Sequence, residues 1–415
     1  MGEFTKAAET ATREMRALFP ETPLQENQHL SLMYDARIFL KREDLSPVRS
    51  YKIRGAFNAM RKALLADPEH KLFVCASAGN HAQGMAFACR HFGVHGVIFM
   101  PVTTPDQKIG KTKAFGGEAV EVILTGDYFD ETLAAAQGYA RSHDACFLPP
   151  FDDADVIEGQ ASVAVELMEQ MEELPDVIVV PVGGGGLSSG LVKFFAEQES
   201  QPQFIFVEPD GGRSLYASLR AGALQTLPNV DNFVDGAAVA RIGDRNFEIL
   251  KNQPPEHCIG IPEDRLCATM MEMLNIEGIV LEPAGALTVD ALKDLAPRIK
   301  GLRVVCITSG GNFDFERLPD VKERAMRYAG LKKYFILRMP QRPGALRDFL
   351  NLLGPDDDIA RFEYLKKSAR NFGSVLLGIE TKTPEEFPAL MERMDKAGLA
   401  YQDITDDEIL SQFLI

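Results

Sequence analysis

The chain has 415 residues, of which 46% are hydrophobic and 25% charged, so disordered and fibrous classes are excluded and more than one domain is expected. Its net charge of −16 argues against nucleic acid or an anionic membrane as a partner, because both are bound through basic surfaces. No apolar run approaches the ~20 residues of a membrane-spanning helix.

The N-terminal segment and the cysteines both indicate the cellular compartment of the protein. Charged residues recur through Arg16 without the apolar stretch of a secretory signal. The cysteines form no CxxC pair and mostly fall in apolar runs, which predicts free thiols in a reducing compartment. We therefore expect a cytoplasmic protein without a metal or redox motif.

From residue 38 to residue 310, short apolar runs alternate with amphipathic segments. This alternation is typical of an α/β fold in which helices cover both faces of a parallel sheet. Three predicted strands run into loops of small residues at 77–81, 183–186 and 309–312. Because ligands of open α/β sheets bind beyond the carboxyl ends of the strands, we expect these loops to converge on one site. The predicted strands are 72–76, 97–100, 119–124, 177–182, 204–207 and 304–308.

The segment Ser-Tyr-Lys-Ile-Arg-Gly-Ala, residues 50–56, places a lysine at the predicted start of a helix. Apolar residues at helical spacing follow it, and Ser50 is a suitable N-cap. Lys52 then lies at the positive end of the helix dipole, which disfavours an ammonium and eases conversion of the amine to a Schiff base. A lysine that begins a helix is more often plain solvated surface, so the functional interpretation depends on the glycine-rich loops elsewhere.

Four consecutive glycines, Gly183 to Gly186, follow a predicted strand and precede the apolar start of a helix. Their unobstructed backbone amides favour a cradle for a phosphate group, although a tight turn without a ligand is the alternative for this loop alone. The loop lacks the lysine of a P-loop, and Ser188 and Ser189 stand where GxGxxG requires its third glycine. A Schiff-base lysine, a phosphate cradle and the polar Asn80 loop together match the needs of pyridoxal 5′-phosphate.

The pattern changes after Asn312. Residues 317–330 are charged and predict a connecting helix or linker, with the linker itself assigned to residues 321–330. The order strand, helix, strand, strand, helix, strand that follows predicts a βαββαβ unit. We therefore expect one ferredoxin-like α+β domain at residues 331–415.

Four motifs resemble, in the same order, those of the threonine deaminases, also called threonine ammonia-lyases. They are residues 50–56, Ser-Ala-Gly-Asn-His-Ala-Gln-Gly at 77–84, residues 182–187 and Ser-Gly-Gly-Asn at 309–312. The resemblance runs from about Thr22 to the C-terminus and implies a fold type II pyridoxal-phosphate enzyme, similar to the tryptophan synthase β-subunit. It also implies a catalytic part over residues 1–320, with a smaller subdomain at about 45–155 inserted in the larger one. The C-terminal unit resembles that of the short biosynthetic form, whose regulatory part is one ACT-like domain.

The resemblance implies roles for individual residues. Lys52 would carry pyridoxal 5′-phosphate as a Schiff base and later act as the base that removes the α-proton of the substrate. Tyr51 stands at the family's usual phenylalanine, and Asn80 would bind the phenolic oxygen of the cofactor. Ser309 would face the pyridine nitrogen and, as a neutral hydroxyl, leave it largely unprotonated, which suits rapid loss of a β-hydroxyl. The phosphate would be held by Gly183, Gly184, Gly185, Gly186 and Leu187.

The implied substrate is L-threonine, which would give 2-oxobutanoate and ammonia in the first step of isoleucine biosynthesis. Serine racemases of the same fold resemble this chain closely but carry a second serine at position 78, which acts as the acid on the opposite face of the substrate. Ala78 cannot donate a proton, so dehydration is favoured over racemisation. Serine dehydration stays open, because the two substrates differ by one methyl group. The residues expected to bind the substrate are Ser77, Ala78, Gly79, Asn80 and His81, with Ser77 and His81 facing its carboxylate.

A metal site is not expected. Relatives with a divalent cation pair a glutamate like Glu208 with an aspartate six residues later, where this chain has Ser214. We therefore expect no tightly bound divalent metal, and a monovalent cation stays open.

The C-terminal domain is expected to bind an amino-acid effector, isoleucine or valine. Gly344, in a predicted strand-to-helix turn, would let backbone amides approach the carboxylate of that ligand. A plain turn in a domain kept for assembly is the alternative.

The family implies a homo-oligomer, a tetramer. A non-catalytic amino-acid sensor is the alternative from another class, and the intact Lys52 motif argues against it.

Overall fold

The computed structural model describes residues 2–365, 371–407 and 409–410. The chain divides into two compact units, Met1–Phe315 and Glu316–Ile415. None of the helices described there is long and apolar enough to cross a bilayer.

The first unit contains two sheets. Its strands are β1 (Leu24–Glu26), β2 (Arg37–Arg42), β3 (Leu72–Ala76), β4 (His95–Met100), β5 (Val120–Leu124), β6 (Cys146–Phe147), β7 (Val177–Pro181), β8 (Gln203–Pro209), β9 (Cys258–Ile261) and β10 (Arg303–Thr308). The larger sheet has the order β1-β2-β10-β7-β8-β9 and the smaller one β5-β4-β3-β6. Pairing is parallel except between β1 and β2. All the predicted strands are confirmed, with small shifts at their ends.

The predicted strands divide between the two sheets. The strands of the smaller sheet fall within residues 45–155, so the proposed subdomain would consist of this sheet and its helices. The helices of the first unit are α1 (Glu3–Met15), α2 (Gln28–Tyr34), α3 (Lys52–Ala66), α4 (Asn80–Phe92), α5 (Asp106–Gly116), α6 (Phe129–Ser142), α7 (Ala154–Gln160), α8 (Ser162–Gln170), α9 (Gly186–Phe195), α10 (Ser214–Ala221), α11 (Asp244–Leu250), α12 (Glu263–Glu277), α13 (Pro283–Asp290) and α14 (Leu292–Leu295).

The smaller sheet is covered on both faces, as its continuous apolar strands require. Phe73 and Cys75 of β3 pack into a core with residues of α3 and α4. Val74 and Ala76, which point to the opposite face, pack with Ala136 and other residues of α6. A separate core joins α8 and α9 to the larger sheet. The loops that follow β3, β7 and β10 therefore start from two sheets.

The second unit has the predicted βαββαβ order. It consists of α15 (Leu318–Tyr328), β11 (Lys332–Pro340), α16 (Ala345–Leu350), β12 (Asp358–Leu365), β13 (Phe372–Glu380), α17 (Glu386–Lys396) and β14 (Ala400–Asp403). The strands form one antiparallel sheet in the order β12-β13-β11-β14. Its core includes Phe335, Phe349, Leu377 and Phe387. This arrangement confirms the ferredoxin-like α+β prediction.

The segment assigned to a linker is mostly helical. Residues 321–328 lie in α15, which buries Val321 and Ala325. Gly330 ends the segment with a φ of 68°, a left-handed conformation that suits glycine after a helix. Of the two forms predicted for this segment, the structure has the helix.

Candidate active site

Lys52 is the first residue of α3, as the sequence predicts. Its Nζ donates a hydrogen bond to the carbonyl oxygen of Pro150 at 2.9 Å. The Nζ also lies 5.3 Å from the ring centroid of Tyr51 and 5.8 Å from that of Phe151. Burial lowers the pKa of the Lys52 amine to about 8, against the opposing charge of Glu282. An amine with this pKa is neutral in about a tenth of molecules at pH 7, far more than an ordinary lysine, so it can act as a nucleophile or a base.

The backbone before Lys52 is joined to the loop after β10. Ser50 forms an isolated antiparallel bridge with Gly310, and Tyr51 N–H donates to the carbonyl oxygen of Ser309 at 3.1 Å. Ser309 is buried. These bonds bring the lysine segment and the Ser309 loop together, as the sequence analysis expects.

The glycine loop leaves the start of α9 open. Gly185 has a φ of 91°, which favours glycine, and no described side chain caps the first turn of the helix. A Cβ atom built on Gly184 would lie 2.3 Å from the ring of Phe151, and one on Gly185 would lie 2.9 Å from Ile242. Glycine is therefore required here. Because Phe151 follows the acceptor of the Lys52 ammonium, the loop and the lysine are neighbours.

The Asn80 loop contacts the Ser309 loop through side chains. Asn80 begins α4, and its Nδ2 donates to Oε1 of Glu282 at 2.7 Å. Its Oδ1 accepts from Nδ2 of Asn312, also at 2.7 Å. Burial raises the pKa of the Glu282 carboxyl to about 7, with a further rise from the charge of Asp235. The three small-residue loops thus lie around Lys52.

Glu282 and Phe151 were missed by the sequence analysis. The signal for Glu282 was an acidic residue inside an apolar run, directly before the proline that begins α13. A carboxylate in such a run is buried only with partners, so it marks a site. Phe151 carried no signal, because one aromatic residue after a two-residue strand is ordinary core sequence.

Some polar groups of the predicted substrate-binding segment form hydrogen bonds within the protein. Ser77 Oγ accepts a hydrogen bond from Gly79 N–H at 3.3 Å. His81 Nε2 lies 2.9 Å from the carbonyl oxygen of Leu148, so this nitrogen carries the hydrogen. Burial, and then the charge of Lys52, lower the pKa of His81 to about 4, which keeps its ring neutral. A Cβ atom built on Gly79 would meet no atom within 4 Å, which leaves room beside this loop.

Glu208 has a structural task. Its carboxylate accepts hydrogen bonds from Leu215 N–H at 2.8 Å and Tyr216 N–H at 3.0 Å, at the start of α10. Burial raises the pKa of this carboxyl to about 7. Within the described part of the chain, no group of three or more histidine, cysteine or acidic side chains could hold a metal ion.

A buried ion network fixes the first turn of α3. Arg54 donates from Nε to Glu43 at 2.7 Å and from Nη2 to Glu166 at 2.8 Å. Lys41 Nζ lies 2.5 Å from the same Glu166 carboxylate. Burial opposes the charge of Glu166, but the Arg54 and Lys41 cations hold its pKa well below the usual range. The network ties the helix that begins with Lys52 to α8.

These residues fit pyridoxal 5′-phosphate. The uncapped start of α9 offers backbone N–H groups to a phosphate. Lys52 offers an amine of lowered pKa to an aldehyde. The Nδ2 of Asn80 gives one hydrogen to Glu282 and retains a second one for a ligand.

The comparison with protein families agrees with this chemistry. Residues 16–310 match the family described as pyridoxal-phosphate dependent enzyme. Residues 323–414 match the C-terminal regulatory domain of threonine dehydratase. The fold and the site therefore define a pyridoxal-phosphate enzyme of fold type II that carries a regulatory domain.

Individual relatives show which branch of this family the chain resembles. The biosynthetic L-threonine dehydratase IlvA of Staphylococcus aureus strain NCTC 8325 is 44% identical over 416 residues, covering 99% of this chain and 98% of the relative. That of Bacillus subtilis strain 168 is 44% identical over 406 residues, covering 98% and 96%. The processed form of threonine deaminase isoform 2 from Solanum lycopersicum has a TM-score of 0.71 at 33% identity, covering 78% of this chain and 94% of that one. The chain belongs to the biosynthetic threonine dehydratase family.

Proposed function

We propose that this protein dehydrates and deaminates L-threonine to 2-oxobutanoate and ammonia, as the first step of isoleucine biosynthesis. The observation that carries the proposal is the position of Lys52. An amine of lowered pKa begins a helix beside the glycine loop that precedes α9 and beside the Asn80 amide. A non-catalytic sensor would have no use for such an amine.

The proposed roles follow from what each group can donate or accept. When bound, pyridoxal 5′-phosphate supplies the electron sink that makes the α-proton of an amino acid removable. Lys52 would hold the cofactor through its amine, and the same amine, when free and neutral, would take that proton. The N–H groups from Gly183 to Leu187 hold the phosphate. Asn80 would donate to the phenolic oxygen, and Ser309 would face the ring nitrogen as a neutral partner.

Binding of the substrate is assigned to the loop before α4. The backbone N–H groups of Asn80 and His81 lie at the positive end of a 13-residue helix, a favourable place for a carboxylate. The hydroxyl of Ser77 is available on the same loop. The imidazole of His81 contributes by supporting the loop through Leu148.

Ala78 bears on the choice between elimination and racemisation. Its methyl group cannot return a proton to the opposite face of the substrate, which favours loss of the β-hydroxyl. Ala78→Ser is expected to raise the rate of D-serine formation from L-serine, measured on a chiral column. Wild-type protein that makes D-serine as fast as pyruvate would contradict this assignment.

The direct test is an assay of 2-oxo acid formation from L-threonine, run beside L-serine. We expect faster turnover of threonine and none with Lys52→Ala. Lys62→Ala is the matched control, because Lys62 lies on the same helix and its ammonium is paired with Asp155 and Glu158. No 2-oxobutanoate from the cofactor-loaded wild type would refute the proposed function.

The covalent site has its own test. Borohydride reduction of the loaded enzyme followed by peptide mapping should place the pyridoxyl group on Lys52. Lys41 is the alternative to check, although its ammonium is already bonded to Glu166, Gln170 and the carbonyl oxygen of Thr22. A label on Lys41 or Lys62 would show that the assignment is wrong.

Regulation is assigned to the second unit. We expect isoleucine, and valine as a second candidate, to bind there and to change the affinity for threonine, since allostery requires coupled binding. Gly344 has a φ of 84° at the start of α16. An added side chain would not crowd the turn, because the atom nearest to a Cβ built on Gly344 is 3.7 Å away. Backbone strain is the physical reason why this position needs glycine.

Assembly and location complete the proposal. We expect a homotetramer, as the family resemblance implies, and size-exclusion chromatography with light scattering measures it. A cytoplasmic location is supported by the six cysteines, which are all free thiols.

A further inference from the structure

A chain of hydrogen bonds with a fixed direction crosses the site. Asn312 Nδ2 lies 2.8 Å from the carbonyl oxygen of Val48, which can only accept, so the atom at that position must be the nitrogen. The same Nδ2 lies 2.7 Å from Asn80, whose facing atom must therefore be the oxygen. Nδ2 of Asn80 then points to Glu282, 2.7 Å away. The backbone carbonyl of Val48 thus fixes the orientation of both amides.

We propose that Glu282 is the positioning residue that holds Asn80 with one N–H directed at the phenolic oxygen of the cofactor. The inference rests on the proposed function, because it assumes that pyridoxal 5′-phosphate binds beside Asn80. Glu282 takes one hydrogen of the Asn80 amide, and Asn312 fixes the oxygen. The Asn80 amide is planar, and its oxygen and one of its N–H groups are held by these two bonds. The direction of its second N–H is therefore fixed as well.

The surroundings of Glu282 are built to keep its carboxylate in place. A Cβ atom on Gly310 would lie 2.0 Å from its Oε1, so the space is open only because residue 310 is glycine. The backbone N–H of Asn312 also interacts with the carboxylate. Glu282 N–H donates to the carbonyl oxygen of Gly310 at 3.2 Å, which interlocks the two loops. The backbone bond and the space that Gly310 leaves open together place the Glu282 carboxylate beside Asn80.

Affinity for the cofactor measures this role directly. Full-length apoprotein is titrated with pyridoxal 5′-phosphate, and the visible absorption spectrum is recorded at saturation. We expect Glu282→Ala to raise the Kd about tenfold and to shift the absorption maximum, as loss of a hydrogen bond between charged and polar groups predicts. An unchanged Kd and spectrum would overturn the proposal.

A double-mutant cycle shows whether Glu282 acts through Asn80. If it does, Asn80→Ala in the Glu282→Ala background adds little to either single change. If the two changes raise the Kd independently, so that their fold-changes multiply in the double variant, the proposal is overturned. The matched control is Asn58 and Glu158, where Asn58 Nδ2 donates to Glu158 Oε1 at 3.1 Å between α3 and α7. Glu158 and Glu282 are both 7% exposed, yet Glu158→Ala should leave the Kd and spectrum unchanged.

A conservative variant guards against simple misfolding. Glu282→Gln keeps an oxygen that accepts from Asn80, so it should recover most of the affinity and the wild-type spectrum. If Glu282→Gln binds the cofactor as weakly as Glu282→Ala, charge rather than the hydrogen bond is responsible and the proposal fails. If the wild type binds the cofactor but yields no 2-oxobutanoate, the proposed function fails while the cycle still tests the role of Glu282.

Discussion

Replacing Gly310 by alanine tests how closely the Ser309 loop is fitted to Glu282. The added Cβ would lie 2.0 Å from Oε1, 2.7 Å from Cδ and 3.3 Å from Oε2 of that residue. Gly310 is not among the residues with positive φ, so the contact and not backbone strain causes the effect. The carboxylate must move away, and its hydrogen bond with Asn80 breaks as it moves.

The size of the effect follows from these two losses. Forcing an extra methyl into a packed site costs about 1–3 kcal/mol. Losing a hydrogen bond to a charged group costs about 1.5–3 kcal/mol. We expect Gly310→Ala to lower the free energy of unfolding by about 3–5 kcal/mol. At about 2 °C per kcal/mol for a large domain, the melting temperature should fall by about 6–10 °C.

The assay is thermal unfolding of four apoproteins: wild type, Gly310→Ala, Glu282→Ala and the double variant. In the Glu282→Ala background the new methyl meets no carboxylate, so Gly310→Ala should lower the melting temperature by less than ~2 °C. Gly138→Ala is the control, because a Cβ there meets no atom within 4 Å and alanine is favoured inside a helix. Equal losses in both backgrounds would refute the reasoning.

Three more predictions concern other parts of the molecule. Covalent uptake of the cofactor by the apoprotein should speed up about tenfold per pH unit below pH 8 and level off above it, because only the neutral Lys52 amine attacks an aldehyde and its pKa is about 8. A midpoint near 10.5, the ordinary value for lysine, would show that burial has no such effect. Arg54→Met leaves the buried Glu43 carboxylate without its cation and Glu166 with Lys41 and Arg16 alone, and it should cost about 3–5 kcal/mol in urea denaturation; a loss below ~1 kcal/mol would contradict the network. Gly344→Val, strained by the φ of 84°, should weaken inhibition by isoleucine at subsaturating threonine while the maximal rate stays the same, and an unchanged inhibition curve would place the effector elsewhere.

Local patterns were sufficient for the elements that carry the site. The strand at 72–76 is a continuous apolar run, and the structure has it at the same residues. Lys52 was correctly placed at a helix start because of the apolar spacing behind it, although the N-cap is Tyr51 and not Ser50 as predicted. Local patterns did not predict how the strands divide between the two sheets. A strand buried on both faces has the same continuous apolar sequence whichever strand it pairs with.

Contacts between distant residues account for the rest. Glu282 lies 202 positions from Asn80, so no local pattern could pair them. His81 was correctly placed in the first turn of a helix, but the partner of its ring is 67 positions away. The βαββαβ order of the second unit was predictable from its alternating elements, whereas α15 was ambiguous because only two of its residues, Val321 and Ala325, are buried.

The fixed direction of the amide chain makes the site sensitive to a change of a single atom type. Asn312→Asp, or deamidation of Asn312 as the protein ages, replaces an NH₂ group by an oxygen of nearly equal volume. That oxygen would face the carbonyl oxygen of Val48 at 2.8 Å and Oδ1 of Asn80 at 2.7 Å. Two donated hydrogen bonds become two repulsive contacts, although the number of non-hydrogen atoms in the packing is unchanged. The integrity of the site thus depends on chemical identity at a position where shape alone would tolerate the exchange.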